Sequence, residues 1–377
     1  MRKAVNRLSG AFECDFDDLV ESLPQPVNLG RFEPPTTAVS CFVGIAGFEA
    51  RCFTGAETLA MLGWGAQAAI CVHYIQENMT ESNEFYTNNL YAACRHLCQG
   101  REPEAVTHNE HNLARDFGDR LLDAIHRMGI DTSSSATHVV FDITVGSSRL
   151  LLEGLHALLN TDVELTLVYS EAAEYRPSYD EYLRDQKNII DVGKPGRDFL
   201  TSGVDRVELL HRLMVRSADA RSTYLIAVPS FTPTRISAVL EEMAPSLVHW
   251  LFGIPHLIPN RWRLDAQRDY HRAFIEPSHQ QSYVSTFDYR EMLNILEKTY
   301  GEKRVDHNLL VCSLGSKLQK VGQVLFHILR PEVGAIASIA HQWDPERSKV
   351  TRACYALRFG PCSQLRRALW RTRTYRL

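Results

Sequence analysis

The sequence predicts an α/β protein built from two Rossmann-like lobes, each with a mostly parallel sheet. Short apolar runs alternate with longer helical patterns along most of the chain, which is typical of βαβ units. These runs lack strict polar alternation, as expected of strands that are buried on both faces. The length of 377 residues is sufficient for two domains of about 150 residues each.

The first lobe is predicted to cover residues 37–185, because the apolar runs begin at Val39. Residues 1–36 combine charges with prolines and are predicted to be a peripheral N-terminal lead-in. The predicted strands of this lobe are 39–43, 68–74, 104–109, 138–143 and 163–169. Its predicted helices are 53–62, 82–98, 112–128 and 148–159.

The second lobe is predicted to cover residues 220–345 and to repeat the same alternation. Residues 186–219 are predicted to be a helical junction, with a helix at 199–215. The predicted strands of the second lobe are 223–228, 248–252, 309–313 and 334–339, and its predicted helices are 232–243, 261–275, 287–299 and 317–329. Residues 346–377 are predicted to form a strand and a basic tail that contains Arg367, Arg371, Arg373 and Arg376.

Composition excludes several function classes. The chain has 41 Lys and Arg residues against 45 Asp and Glu residues, a net charge of −4, so it lacks an overall basic field for nucleic acid. The arginines of the tail leave such a contact open, although a solvated tail or a protein contact is the preferred interpretation. No apolar run approaches the ~20 residues that cross a bilayer. Nine scattered cysteines and the absence of a secretory signal pattern predict reduced thiols and a cytoplasmic location.

Two strand–loop–helix junctions, one in each half, follow the same residue order. Each has an apolar strand, Thr or Ser, an apolar residue, Gly, Ser and then a cation that opens a helix. The first contains Thr144, Gly146, Ser147, Ser148 and Arg149, and the second contains Ser313, Gly315, Ser316 and Lys317. The similarity suggests an internal duplication. A common βα turn explains it equally well, because Gly gives backbone freedom and Ser caps helices.

These junctions have the chemistry of an anion site. In a parallel sheet, ligands bind beyond the carboxyl ends of the strands. A helix N-terminus there offers free N–H groups and partial positive charge, to which Ser hydroxyls and a cation add. The loop Gly44–Arg51 follows the first strand, and its Glu49 and Arg51 would contact sugar hydroxyls or phosphate, or pair with each other. It has neither GxGxxG nor GxxxxGK[ST], which disfavours NAD enzymes and Walker-type NTPases.

The candidate site residues form two groups. Ser147, Arg149 and Lys317 are predicted to be catalytic if the ligand is turned over, because fixed positive groups stabilise developing phosphate charge. The residues predicted to bind the ligand are Gly44, Gly47, Glu49, Arg51, Asp142, Thr144, Gly146, Ser148, Ser313, Gly315 and Ser316. No cofactor and no metal ion are expected.

The two junctions resemble the signature loop of CARF-type domains, the Rossmann-like sensors of cyclic oligonucleotides in prokaryotic defence. In both junctions an apolar residue, Val145 or Leu314, replaces the first Gly of that signature. The resemblance implies a nucleotide sensor or ring nuclease in which two halves form one pocket.

Two functional hypotheses follow. The first is a nucleotide-recognising protein of a prokaryotic defence or stress system, whose ligand is a cyclic oligonucleotide or another nucleotide-derived molecule and is hydrolysed if the protein is an enzyme. The alternative is a non-catalytic interaction subunit that assembles with a separate effector protein. Arg149 is expected to matter most. Its replacement by Lys should weaken binding at least tenfold, about 1.4 kcal/mol, and leave stability unchanged because the cation is expected to be exposed.

Overall fold

The structure is a computed structural model that describes residues 15–35, 38–75, 81–110, 116–192, 198–214, 219–344 and 347–374. The elements of the first half are α1 (Phe16–Ser22), β1 (Val27–Asn28), β2 (Val39–Ile45), α2 (Arg51–Met61), β3 (Ala66–Tyr74), α3 (Glu81–Leu97), β4 (Glu104–His108), α4 (Phe117–Arg127), β5 (His138–Asp142), α5 (Ser148–Leu159), β6 (Glu164–Tyr175) and α6 (Tyr179–Val192).

The second half repeats the alternation of strands and helices. Strand β7 (Thr201–Leu209) is the last element of the first half, and the elements of the second half are β8 (Ser222–Val228), α7 (Pro233–Met243), β9 (Leu247–Ile254), α8 (Trp262–His271), β10 (Gln280–Ser285), α9 (Tyr289–Lys303), β11 (His307–Ser313), α10 (Lys317–Leu329), β12 (Gly334–Trp343), β13 (Ser348–Pro361) and α11 (Cys362–Thr374). The predicted α/β class with two Rossmann-like, mostly parallel sheets is confirmed.

Apart from the short edge strand β1, the two sheets have the same strand order. The first runs β1-β13-β6-β5-β2-β3-β4 and the second runs β10-β9-β8-β11-β12-β7. Strands β2 to β6 are parallel to one another in the first sheet, and β8 to β12 are parallel in the second. The strands can be matched by starting from the antiparallel strand of each sheet, β13 in the first and β7 in the second. The equivalent pairs are then β6 and β12, β5 and β11, β2 and β8, β3 and β9, and β4 and β10.

Each half donates its last strand to the sheet of the other half. Strand β7 follows β6 in the chain but pairs antiparallel with β12. Strand β13 follows β12 but pairs antiparallel with β6. This reciprocal exchange of β7 and β13 ties the two sheets together at their equivalent edges. The lobe boundaries predicted at 185, 220 and 345 stay predictions. Each sheet contains a strand from outside its predicted lobe, because β7 lies in the predicted junction and β13 lies after residue 345.

A shared helical layer lies between the two sheets. Helices α5 and α10 are buried on almost every side, as expected of helices that are apolar all round. One hydrophobic cluster contains Phe141 of the first sheet and Val311 of the second, together with Leu155 of α5 and Leu325 of α10. Helices α2 and α3 cover the opposite face of the first sheet, and α7 covers that of the second.

Two segments differ from the prediction. The helix expected at 199–215 is wrong, because residues 201–209 form β7, and residue 215 lies outside the described residues. A β-bulge opposite Ile339 and Ala340 interrupts the alternation, so Val204 and Val207 acquire the three-residue spacing of a helix. Within 261–299 both expected helices are present, but the strand β10 between them was missed, since only Val284 of this edge strand is buried.

Both chain ends are more closely packed than expected. Helix α1 buries Phe16, Leu19 and Val20 in the shared cluster, so this part of the lead-in is not peripheral. The predicted basic tail is largely helix α11, whose Leu365 and Leu369 join the same cluster. Its Arg366 and Arg373 pair with Asp162 and Glu332, and Arg376 lies beyond the described residues.

Two helix glycines test the packing of α9 against α10. A Cβ at Gly322 of α10 would lie 2.4 Å from the carbonyl oxygen of Tyr289, whereas a Cβ at Gly301 of α9 meets nothing within 4 Å. We expect Gly322→Ala to destabilise the fold by about 1–3 kcal/mol through overpacking. The matched variant Gly301→Ala should stabilise it by roughly 0.5–1 kcal/mol, because it restricts the unfolded chain. Urea unfolding of both variants measures the difference, and equal effects would contradict the helix contact.

Candidate junction site

The two predicted junctions occupy equivalent places in the two sheets. The Ser147 hydroxyl accepts a hydrogen bond from the N–H of Leu150, 3.1 Å away, at the start of α5. The Ser316 hydroxyl accepts one from the N–H of Gln319, also at 3.1 Å, at the start of α10. Ser147 and Ser316 are therefore the two N-caps. At the second, the N–H of Ser316 donates in return to the Oε1 of Gln319 at 2.8 Å, which completes a capping box.

The N-caps correct the alignment of the two junctions. Counting from the caps, the residue equivalent to Lys317 is Ser148, the first residue of α5, and not Arg149. Leu151 is likewise equivalent to Lys320, and their N–H groups bond to the carbonyls of Ser147 and Ser316 at 3.1 and 3.3 Å. The extra serine of the first junction displaced its cation by one helical position.

The glycines of the two junctions allow close packing against the neighbouring strand. A Cβ at Gly146 would lie 2.8 Å from Ile45, the last residue of β2. A Cβ at Gly315 would lie 2.9 Å from Val228, the last residue of the equivalent strand β8. Any larger residue would force these loops away from the sheet edge.

A direct contact joins the two junctions. The Nζ of Lys317 donates a hydrogen bond to the carbonyl oxygen of Gly146 in the other half. The backbone N–H of Ser147 donates to the hydroxyl of Tyr74, 2.8 Å away at the end of β3. The predicted loop 44–51 also packs against the first junction, because a Cβ at Gly47 would lie only 3.0 Å from the side chain of Val145. The structure thus brings Gly47, Gly146 and Lys317 together.

Three cations of the second half lie near this contact. Lys320 is buried and donates to the carbonyl oxygen of Gly315 at 2.6 Å. Arg235 of α7 is buried, donates to the carbonyl oxygen of Ser338, and lies 5.2 Å from the ring centre of Trp343. Within the described ranges, neither of these cations nor Lys317 has a carboxylate at ion-pair distance, and the Nε of Arg235 has no hydrogen-bond partner.

Burial without a counter-ion lowers the pKa of each of these cations. Burial lowers the pKa of Lys320 to about 7, and Arg235 acts in the same direction. Burial also lowers the pKa of Arg235 to about 10. The pKa of Lys317 lies well below its ordinary value because of burial and the charges of Lys320, Arg347 and Arg51. Glu49 and Glu110 act in the opposite direction on Lys317 and Arg235 but do not offset burial, so a bound anion would favour the charged form of all three groups.

The cations of the first half are instead paired. The guanidinium of Arg51 bonds to both carboxylate oxygens of Glu49, at 2.8 and 2.9 Å. It also donates to the carbonyl oxygen of Ser170 and to the hydroxyl of Ser348, at 2.7 and 2.9 Å. The mutual ion pair of Glu49 and Arg51, left open by the sequence, is present. Ligand contact by either residue stays a prediction.

Arg149 is buried, and the expectation of an exposed cation is wrong. Its side chain is 6% exposed, and its Nε lies 3.0 Å from Glu153 and 3.2 Å from Glu208. Glu208 belongs to β7, which pairs with β12 in the second sheet. The sequence alone therefore did not indicate that Glu208 lies next to Arg149. The guanidinium also donates to the carbonyl oxygen of Glu110 at 3.3 Å.

Three predicted ligand-binding residues face elsewhere. Gly44 lies within β2, where a Cβ would come 2.9 Å from Leu90 of α3. The carboxylate of Asp142 accepts from the N–H of Thr144 at 2.9 Å, and its other oxygen lies against Gly55 of α2. Burial raises the pKa of Asp142 to about 7, against the lowering effect of Thr144 and Arg51. Thr144 accepts from the N–H of Ser170 at 2.9 Å, so both residues fix the turn.

The remaining candidates, Ser148 and Ser313, belong to the first and the second junction respectively. Ser148 and Ser313 are buried, and the Ser313 hydroxyl has no hydrogen-bond partner among the described residues. The sequence reasoning missed Lys320 and Arg235. Lys320 was available as a second cation one helical turn after Lys317. Arg235 was available as a counterpart of Arg51, since α2 and α7 follow the equivalent strands β2 and β8.

Glu110 is a buried acid beside the N-cap Ser147. It follows β4, and its Oε1 lies 3.2 Å from the Nε2 of His108. Burial alone would raise the pKa of Glu110, but His108 and Ser147 beside it hold that pKa below its ordinary value. Neither carboxylate oxygen accepts a hydrogen bond of normal geometry from the described residues. A group of three residues able to hold a metal ion is absent from the same residues.

Comparisons with known proteins identify no family for this chain. No protein-family model matches it, and no curated protein matches it. A search of solved structures finds a "Type III CRISPR defence DNA nuclease activated by cyclic oligoadenylate", with 11% sequence identity and a TM-score of 0.44. The match covers 75% of this chain and 63% of that one, so this chain spans less than two thirds of that nuclease. At this identity the likeness concerns the general fold alone and says nothing about the ligand of this chain.

In the described residues no helix is long and apolar enough to cross a membrane.

The paired state of Arg149 predicts a large effect on stability. We expect Arg149→Met to destabilise the protein by about 3–5 kcal/mol, because it leaves the buried Glu153 without its partner. The matched variant Arg127→Met removes an exposed cation 2.9 Å from Glu104 and should cost less than about 1 kcal/mol. Chemical unfolding of both variants measures the two effects. A small loss for Arg149→Met would show that its ion pairs do not form.

Proposed function

We propose that this protein binds a nucleotide-type anionic ligand where its two junctions meet. The observation that carries the proposal is the concentration of Lys317, Lys320 and Arg235 beside the Gly146 loop without carboxylate partners in the described ranges. A buried charge that lacks a counter-ion is costly. An anion bound at this place would supply the missing counter-charge.

The local backbone suits a phosphate group. The N-terminus of α10 begins at Lys317, so its free N–H groups and partial positive charge face the same region as the lysine side chain. Lys317 is the one of the three cations that is only partly buried, which makes it the group best placed to reach a bound phosphate. Its bond to the Gly146 carbonyl would exchange for one to the ligand.

The same arrangement assigns roles if the ligand is cleaved. Lys317 would stabilise negative charge that develops on a phosphate oxygen, since it is fixed and poorly solvated. Arg149 would act through the loop, because its guanidinium is already held by Glu153 and Glu208. Ser147 caps α5 beside Glu110 and would keep the N–H groups of this helix in place next to the ligand. We place the protein in a prokaryotic defence or stress system on the resemblance of its loops to CARF-type domains.

A ligand screen tests the proposal. A nucleotide at 100 times its Kd should stabilise the wild-type protein by about 2.7 kcal/mol and raise its melting temperature by several degrees. Lys317→Met should weaken binding at least tenfold, because it removes the charge at the meeting point of the loops. Lys187→Met, which removes an exposed lysine of α6, is the matched control and should bind normally.

The screen should contain mononucleotides, dinucleotides and cyclic nucleotides, followed by calorimetry of each one that raises the melting temperature. Equal affinity of Lys317→Met and wild type would remove the junction from the binding site. No shift with any nucleotide, together with co-purification of another protein, would favour the alternative of a non-catalytic subunit that acts through a partner effector.

A further inference from the structure

The two halves of the junction site are equivalent in backbone but differ in charge. The equivalence is supported by the two N-caps, by the strand order and by a pair of arginines. Arg51 donates to the carbonyl oxygen of Ser170 in β6, and Arg235 donates to that of Ser338 in the equivalent strand β12. Arg51 lies 5.6 Å from the ring centre of Tyr175, and Arg235 lies 5.2 Å from that of Trp343. Position by position, the halves can therefore be compared.

At three equivalent positions, the second half has a cation without a carboxylate partner among the described residues, and the first half has an uncharged residue or a paired arginine. Lys317 and Lys320 stand where the first half has Ser148 and Leu151. Arg235 has no carboxylate at ion-pair distance among the described residues, whereas its counterpart Arg51 is bound through two bonds by Glu49. The positive charge that is free to bind an anion thus belongs almost entirely to the second half.

The first half offers acceptors where the second half offers charge. Its other cation, Arg149, is held by Glu153 and Glu208. Glu110 is 4% exposed and its Oε1 lies 3.2 Å from the Nε2 of His108, but neither carboxylate oxygen accepts a hydrogen bond of normal geometry from the described residues. A buried carboxylate with unfilled acceptor capacity repels a second phosphate, so this half suits a ligand part that carries N–H or O–H groups.

We infer that the ligand is one-ended, with a terminal phosphate held by the second half and an uncharged, donor-bearing part held by the first. This inference rests on the proposed function and specifies its ligand class. A nucleoside 5′-monophosphate has this distribution, because its phosphate lies at one end and its base and ribose carry the donors. A two-fold symmetric cyclic dinucleotide would place equal phosphates in two unequal halves, and one of them would face the acids of the first half.

Calorimetry with wild-type protein compares the two ligand classes directly. The probes are the four nucleoside 5′-monophosphates, the four nucleosides, and the cyclic dinucleotides of adenosine and of guanosine. We expect at least one monophosphate to bind tenfold or more tightly than its nucleoside and than either cyclic dinucleotide. Tighter binding of a cyclic dinucleotide would overturn the one-ended ligand while leaving the proposed function in place. Absence of binding by every probe would overturn the one-ended ligand, and absence of binding throughout the wider screen described above would overturn the proposed function as well.

Two substitutions to the same residue separate the halves. Lys320→Met removes a charge from the second half, and Leu151→Met changes the equivalent position of the first half conservatively. Lys320→Met should weaken monophosphate binding at least tenfold without changing nucleoside binding, and Leu151→Met should stay within threefold of wild type for both. Since the Lys320 charge is buried without an acid partner, its removal should not unfold the protein, and the melting temperature of each variant checks this. Equal losses in the two variants, or a loss of nucleoside binding in Lys320→Met, would overturn the inference.

Discussion

The reciprocal exchange of β7 and β13 is the constraint on which the rest of the structure depends. Because each sheet takes an antiparallel strand from the other half, the two halves cannot separate without breaking a strand pairing. The exchange also encloses α5 and α10 between the sheets, which fixes where their N-termini lie. The contact of Lys317 with the Gly146 carbonyl follows from that placement.

Electrostatics distinguishes this meeting point from an ordinary pair of βα turns. Most buried charges described here have a partner, as Arg330 does in Glu297 at 2.5 Å. Lys320 and Arg235 do not, and leaving them buried lowers the stability of the empty protein. Groups that are retained at such a cost are expected where a ligand completes them. The charge pattern therefore supports a binding site more strongly than the glycine and serine residues do.

The sequence predicted the parallel strands well because their apolar runs reflect burial, a property of each segment by itself. It failed at β7, where a bulge gives a strand the spacing of a helix, and at β10, where an edge strand buries little. The importance of Arg149 was misjudged because its partner Glu208 lies on β7, which pairs with a strand of the second sheet. Conversely, Lys320 and Arg235 become significant only because no carboxylate of the described residues lies at ion-pair distance from them, which depends on residues far away in the chain.

The titration of Lys320 tests the central claim most directly. Nuclear magnetic resonance of protein with labelled lysine side chains, assigned with Lys320→Met, follows its protonation in the empty and nucleotide-bound states. The account predicts a pKa near 7 in the empty protein, well below the ordinary value of 10.5, because the charge is buried without a counter-ion. A bound phosphate should move that pKa back toward 10.5, since an anion favours the charged form. A Lys320 that titrates at its ordinary value in the empty protein, or that ignores a bound nucleotide, would contradict the account.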